Sequence, residues 1–233
     1  QEASPSPLEV SRRALPGAVR VVDPDHQIAA EGEARRRVIG VVSGVVRCFR
    51  MTLDGRRHVS RFVYPGGLIG LGALSAFRSS AEAVTTSAIV EFGAGALEAC
   101  AGANREVAAA IVRAMTSELT ARDRVQFRLG SLWADERVAD FLLQLADISR
   151  AGAGQTIALR MSRTDIADHL GVTIETVSRA LRRFQREGVI RLDGPHRFSI
   201  VARRVLGALA AGDDAAVGRS CGAARPACLE GAK

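Results

Sequence analysis

Residues 162–190, SRTDIADHLGVTIETVSRALRRFQREGVI, constrain this chain more than any other stretch, because they spell two short helices around a tight turn. Ser162 is placed to accept a backbone N–H as an N-cap, and Asp165 puts negative charge into the first turn of the helix that follows. Ile166, Ala167 and Leu170 recur at helical spacing, and Ala167 is small enough to admit a second helix. Gly171 supplies the positive φ that a sharp turn needs. Thr173 is a second N-cap, and Val177, Ala180, Leu181 and Phe184 make the inner face of the helix it starts.

The outer face of that second helix carries Glu175, Ser178 and Arg179, which are three and four apart and so lie together near its N-terminal end. Arginine can fork two N–H donors onto guanine O6 and N7, a carboxylate can accept from the cytosine N4 amine, and a hydroxyl can serve a neighbouring base or phosphate. Thr173, Thr176, Arg163 and Arg182 join these three as candidate DNA contacts. The bland alternative is an amphipathic helix pair with solvated charges, since Glu and Arg at i,i+4 commonly pair on a surface. Cap, small residue, turn glycine and second cap falling in register favour the DNA-reading arrangement over it.

Beyond Glu187 the period changes. Val189–Leu192 and Arg197–Val201 read as two strands joined by Asp193-Gly194-Pro195, a hairpin of the kind that forms a wing beside a helix-turn-helix. From Arg160 to Arg204 there are ten arginines against five acids, net +5 of the whole chain's +7, as expected where phosphates must be neutralised. Lys233 is the only lysine, so the preference for arginine reflects overall composition rather than a local choice.

A chain of 233 residues can hold a sensor-sized domain and a small DNA-binding domain, each with its own core. Residues 1–22, with Pro5, Pro7 and Pro16, read as a mobile arm. Residues 23–103 contain short apolar runs at Val38–Val42, Val45–Phe49, Val59–Tyr64 and Ala88–Phe92, separated by Ser43-Gly44, Asp54-Gly55 and Pro65-Gly66-Gly67; this pattern predicts a β-roll or barrel. Residues 104–132 turn helical, with Val107, Ile111, Met115, Leu119, Val125 and Leu129 stepping by three or four apart from a polar gap at Arg122. Such a long helix is expected to pair with its copy in a homodimer. The winged helix-turn-helix domain is placed at 133–205 and a flexible tail at 206–233, giving an α+β fold class.

No run of eighteen apolar residues and no signal-peptide core is present, so the expectation is a cytoplasmic protein without a membrane partner. The chain opens on Gln1 rather than Met, which leaves an upstream segment open. Neither a Ser/His/Asp set, a G-x-x-x-x-G-K-[ST] loop nor a His-x-Glu metal motif occurs, so catalysis has no residues to assign and no metal site is expected.

This order of parts resembles the Crp/Fnr family of bacterial transcription regulators over residues 23–205. The resemblance rests on the roll, the long helix, Asp135-Glu136-Arg137-Val138-Ala139-Asp140-Phe141-Leu142-Leu143 and Glu175-Thr176-Val177-Ser178-Arg179. Glu-x-x-Ser-Arg in the second helix, with Val42-Ser43-Gly44-Val45-Val46-Arg47 and Asp54-Gly55-Arg56-Arg57, is similar to the FixK branch. The resemblance implies promoter DNA of the form TTGA-N6-TCAA, with Arg179 on the guanine, Glu175 on its paired cytosine and Ser178 on a thymine. It also implies activation through RNA polymerase, at genes of low-oxygen or nitrogen-oxide metabolism.

The signal is a separate question. Fnr proteins hold an iron–sulfur cluster through three N-terminal cysteines and one in the roll, whereas residues 1–47 here contain none. Cys48 and Cys100 read as buried small hydrophobes, and Cys221 and Cys228 lie in the tail with a redox role left open. A Crp-type cyclic-nucleotide site needs Gly-Glu and then Arg-Ser. Here Gly67 is followed by Leu68, while Arg78 and Ser79 fall at the right distance, so an effector pocket of Gly67, Arg78 and Ser79 is half present. Arg122 and Asp123 stand where the long helix would offer Thr-Ser to an adenine, which counts against cAMP. Haem is left open, with His26 or His58 as conceivable ligands. An effector-gated regulator is therefore the alternative to one controlled by its own abundance.

Overall fold

In the computed structural model, residues 5–71, 75–152 and 154–212 are described. The N-terminal half is built from α1 (Pro7–Ala14), β1 (Val19–Val22), β2 (Gln27–Ala29), β3 (Arg37–Ser43), β4 (Val46–Met51), β5 (Arg57–Val63), β6 (Leu68–Ile69), β7 (Ser80–Ala83) and β8 (Ser87–Gly93). Two four-stranded antiparallel sheets, ordered β1-β8-β3-β6 and β2-β7-β4-β5, face each other as a β-roll. Alternation along the strands sends Ile39, Val41 and Ile89 from one sheet and Val46, Cys48, Val63 and Ala83 from the other into a common core. Gly44 joins β3 to β4 at φ +87° with Ser87 so close that a Cβ would meet its Oγ at 2.1 Å; only glycine fits this corner.

All four apolar runs foreseen as strands coincide with β3, β4, β5 and β8 to within a residue or two at each end. β1, β2, β6 and β7 are shorter and carry too little pattern to stand out.

The reading of residues 1–22 as a mobile arm is corrected for residues 5–22, residues 1–4 lying outside the described residues. Pro7 occupies the first turn of α1, where a missing N–H costs nothing. Ser6 and Glu9 cap that turn reciprocally. Leu8 and Val10 are buried with Val38, Leu68, Phe92, Leu97 and Val107, and β1 pairs with β8 from Val19↔Val90 to Val22↔Ser87.

After α2 (Ala94–Ala103), the Asn104 side chain accepts from the backbone N–H of Glu106 and Val107 and opens α3 (Arg105–Ser131), a helix of 27 residues. Its two faces differ. Val107 and Ala110 pack on the roll and α1, whereas Val112, Met115, Leu119 and Phe127 stand 42–62% exposed along the other side. The apolar positions foreseen as one stripe are thus divided. Val107 faces the chain's own domain, and Met115 and Leu119 face outward.

The C-terminal domain consists of α4 (Ala134–Ile148), β9 (Thr156–Ala158), α5 (Arg163–Leu170), α6 (Ile174–Arg186), β10 (Ile190–Leu192), β11 (Arg197–Ile200) and α7 (Arg203–Ala210). The hairpin β10–β11 gains a third strand from β9, which no local pattern announces. Phe141, Leu142, Leu170, Val177, Leu181, Phe184 and Phe198 form its core. The expected boundary at 205 and flexible tail at 206–233 are corrected in part. Leu206 and Leu209 of α7 are buried in that same core, while residues 213–233 lie outside the described residues. No helix among the described residues is long and apolar enough to cross a membrane.

Candidate nucleic-acid interface

The two helices at the heart of the C-terminal domain are held at each end as the sequence requires. The Ser162 hydroxyl accepts from the Asp165 backbone N–H at 3.0 Å and donates to the Asp165 carboxylate at 2.8 Å, starting α5. Gly171 stops it at φ +64°, with its N–H donating to the Ala167 carbonyl. The Thr173 hydroxyl accepts from the Thr176 backbone N–H at 3.2 Å and opens α6. Val177, Ala180, Leu181 and Phe184 are all at most 2% exposed, so the orientation of α6 is set by its apolar face.

The opposite face then has no choice but to look outward. Glu175 and Arg179 are exposed, with Ser178 half-buried between them. Glu175 is held below the usual carboxylate range, first by its own backbone N–H, then by the Thr173 hydroxyl, with help from Arg179; it is an ionised acceptor. Arg179 donates only a long 3.4 Å bond to the Thr176 hydroxyl, leaving its fork for another partner. Thr173 is exposed and Thr176 half-buried at the same end of the helix. Arg182 is exposed and has no ion pair among the described residues.

The arginines are not equally available. Arg183 is paired with Asp135 at 2.9 Å and Glu187 at 3.0 Å, which pins α6 to α4 and raises its pKa against the opposing effect of burial. Arg191 and Arg203 pair with Asp193 and Asp147. Arg163 is half-buried and donates to the Pro195 carbonyl of the wing turn at 3.3 Å. Arg160, Arg179, Arg182, Arg186, Arg197 and Arg204 remain exposed without an ion pair among the described residues, and of these Arg179, Arg182 and Arg186 lie on α6 and Arg197 on the wing.

A second feature lies between the roll and α3. A cavity of about 1040 Å³ is lined by Gly67, Arg78 and Ser79 together with His58, Glu118 and Arg122, so the three candidate effector residues do share one space. Leu68, where the resemblance expects glutamate, is buried against Leu8 and Val38 and offers no acceptor. Arg122 is tied to Glu118. His26 is exposed at the start of β2. Cys48 is buried, and burial pushes its thiol up; Cys100 is half-buried. No group of three His, Cys, Asp or Glu able to hold a metal occurs among the described residues. Cys221 and Cys228 lie outside the described residues.

Sequence reasoning missed the polar seam that joins the two domains. Asp165 and Asp168 of α5 meet Arg47 of β4 and Arg57 of β5. The imidazole of His169 is buried, donating from Nδ1 to the Val59 carbonyl at 2.9 Å and facing Arg128 Nη1 with Nε2 at 3.3 Å. Residues a hundred positions apart leave no local trace of such a contact.

Comparison with known proteins agrees with this geometry. Residues 136–209 match the Crp-like helix-turn-helix domain family, and residues 19–104 match the cyclic nucleotide-binding domain family. The nitrogen fixation regulation protein FixK of Azorhizobium caulinodans is 37% identical over 82% of this chain and 78% of its own length. The transcriptional activator protein Anr of Pseudomonas aeruginosa is 31% identical over 70% of this chain and 69% of its own. The solved structure of FixK2 from Bradyrhizobium japonicum superposes with a TM-score of 0.79 at 34% identity, covering 84% of this chain and 98% of that one.

Proposed function

The chain belongs to the Crp/Fnr family of transcription regulators and is of the FixK/Fnr type, and from that premise we propose that it works as a homodimer reading TTGA-N6-TCAA promoter sites. One observation carries the reading. Glu175, Ser178 and Arg179 occupy the outward face of a helix whose inward face is fully buried, with an ionised acceptor one turn from an uncommitted guanidinium. That pair matches the donor and acceptor pattern of a G·C edge, Arg179 on guanine and Glu175 on cytosine, with Ser178 beside a thymine. Thr173, Thr176 and Arg182 flank them for the phosphates, while Arg163 supports the wing.

The dimer uses the outer side of α3, where Val112, Met115, Leu119 and Phe127 form an exposed apolar ridge on a helix long enough to pair with its copy. Similarity to FixK and to an activator supports activation through RNA polymerase at genes of low-oxygen or nitrogen-oxide metabolism, in the cytoplasm. Leu68 offers no carboxylate where a Crp-type cyclic-nucleotide site has glutamate, which supports action without cAMP. The cavity holding Gly67, Arg78 and Ser79 favours one second reading, an effector-gated regulator, which a thermal-shift screen with cyclic nucleotides and haem separates from the first.

Arg179→Ala tests the base-reading role. It is expected to weaken the cognate duplex by about 1–3 kcal/mol and to relax discrimination at the guanine alone. Equal losses on cognate and scrambled DNA would contradict it.

A further inference from the structure

The DNA-binding domain hangs from α3 by a joint of two extended residues, Leu132 and Trp133. Arg137 braces that joint, donating to the carbonyls of Leu132, Leu129 and Leu170 at 2.9, 2.9 and 3.1 Å. Across the joint, Arg128 of α3 is buried, bonded to Asp140 and Gln144 of α4 and facing His169 of α5, so the domain is held on its α3 side.

A second attachment ties α5 to the roll. Asp165 Oδ1 receives Arg57 Nη2 at 2.7 Å and Arg47 Nη1 at 3.3 Å, and Asp168 Oδ2 receives Arg57 Nε at 2.8 Å. The Asp165 carboxylate is 4% exposed and the Arg47 guanidinium 9%, so solvent screens this contact little. Both arginines are themselves held. Arg47 also meets Glu82 and Asp25 at 2.7 Å, and these partners raise its pKa although burial alone would lower it. Arg57 lies over the Phe49 ring, 5.9 Å from its centroid. One turn further along α5, His169 bonds the Val59 carbonyl and packs against Phe62 and Phe141, with ring centroids 5.2 and 5.7 Å away. Asp165 therefore does two things at once: it closes the capping box of the first helix of the reading motif and ties that helix to the roll.

We propose that Arg57 and Arg47 are positioning residues for DNA binding, fastening Asp165 and Asp168 so that the β-roll fixes the angle of α6 about α3 and thereby the spacing of half-sites that a dimer reads. The inference rests on the dimeric reading above. Two reading helices must enter successive major grooves about 34 Å apart, so a domain free to turn on its joint would accept several spacings, and a fastened one accepts one.

The test is fluorescence anisotropy of the full chain on duplexes with TTGA half-sites separated by five, six or seven base pairs, and on a duplex with a single half-site. The wild type is expected to prefer the six-base-pair spacer by about tenfold or more. Arg57→Ala should shrink that preference to within about threefold while leaving the affinity for the single half-site within about twofold, because the reading face is untouched. Asp168→Ala, which keeps the capping box intact, should act in the same direction. The double variant should be no worse than Arg57→Ala, since both act through one contact. Retention of the full spacing preference by Arg57→Ala overturns the proposal, as does an equal loss on single and paired half-sites. A wild type indifferent to spacing overturns the dimeric reading itself, and that outcome is recognised before any variant is made.

Discussion

Lowering the pH should loosen this protein through His169. Burial is the main cause that brings its imidazole down from 6.5 to about 4, and the positive charges of Arg128 on α3 and His58 on β5 press the same way against the opposing Val59 carbonyl. The native state thus holds the neutral ring, with Nδ1–H donating to Val59 and Nε2 accepting from Arg128, which is itself fixed by Asp140 at 2.7 Å and Gln144 at 3.2 Å. A depressed pKa means that this contribution is complete above the unfolded value of about 6.5 and is lost as pH falls toward the folded one. At about 1.4 kcal/mol per unit, the loss reaches roughly 2 kcal/mol near pH 5 and about 3 kcal/mol near pH 4. Urea unfolding followed by circular dichroism at a series of pH values, for the wild type and His169→Gln, isolates the effect. Comparing the two proteins at each pH leaves the contribution of the ring as the difference. The wild type should lose the stated increment relative to the variant between about pH 7 and pH 4; parallel curves would refute the reasoning.

Two further outcomes follow from the same geometry. Glu175→Ala should lower the preference for the G·C pair it faces more than it lowers total affinity, because removing a negative charge also helps nonspecific binding; competition anisotropy with the pair inverted measures this. Leu119→Glu, which places a charge in the middle of the exposed ridge on α3, should shift the protein toward monomer in sedimentation and cut affinity for paired half-sites far more than for one, whereas an unchanged dimer would remove the ridge from the interface.

Where the sequence was readable, the reason was local. Ser162, Gly171 and Thr173 each act within a few residues of themselves, and the cap bonds, the left-handed φ and the buried Val177–Phe184 face follow from them. The runs in β3, β5 and β8 stood out because each is a short apolar stretch bounded by turn residues such as Ser43-Gly44, Asp54-Gly55 and Pro65-Gly66-Gly67. Misreadings came from rules applied without position. Proline marks an irregular segment in general but favours the first turn of a helix, and Ser6-x-x-Glu9 was there to say so. Alanine and glycine suggested a loose tail, yet Leu206 and Leu209, three apart, are enough to seat α7. The seam of Arg47, Arg57, Asp165 and Asp168 was illegible for a different reason: its members are brought together only by the packing of two domains, and charged residues carry no periodicity to betray a distant partner.

The central claim is that this face of α6 reads a specific sequence, and the most direct measurement is fluorescence anisotropy of the purified protein, in air and without added effector. It should be run on TTGA-N6-TCAA and on a scrambled duplex at about 150 mM salt, where nonspecific phosphate binding is weak. The account predicts selective binding of the TTGA duplex by at least about a thousandfold. Equal, weak binding of both duplexes would contradict it.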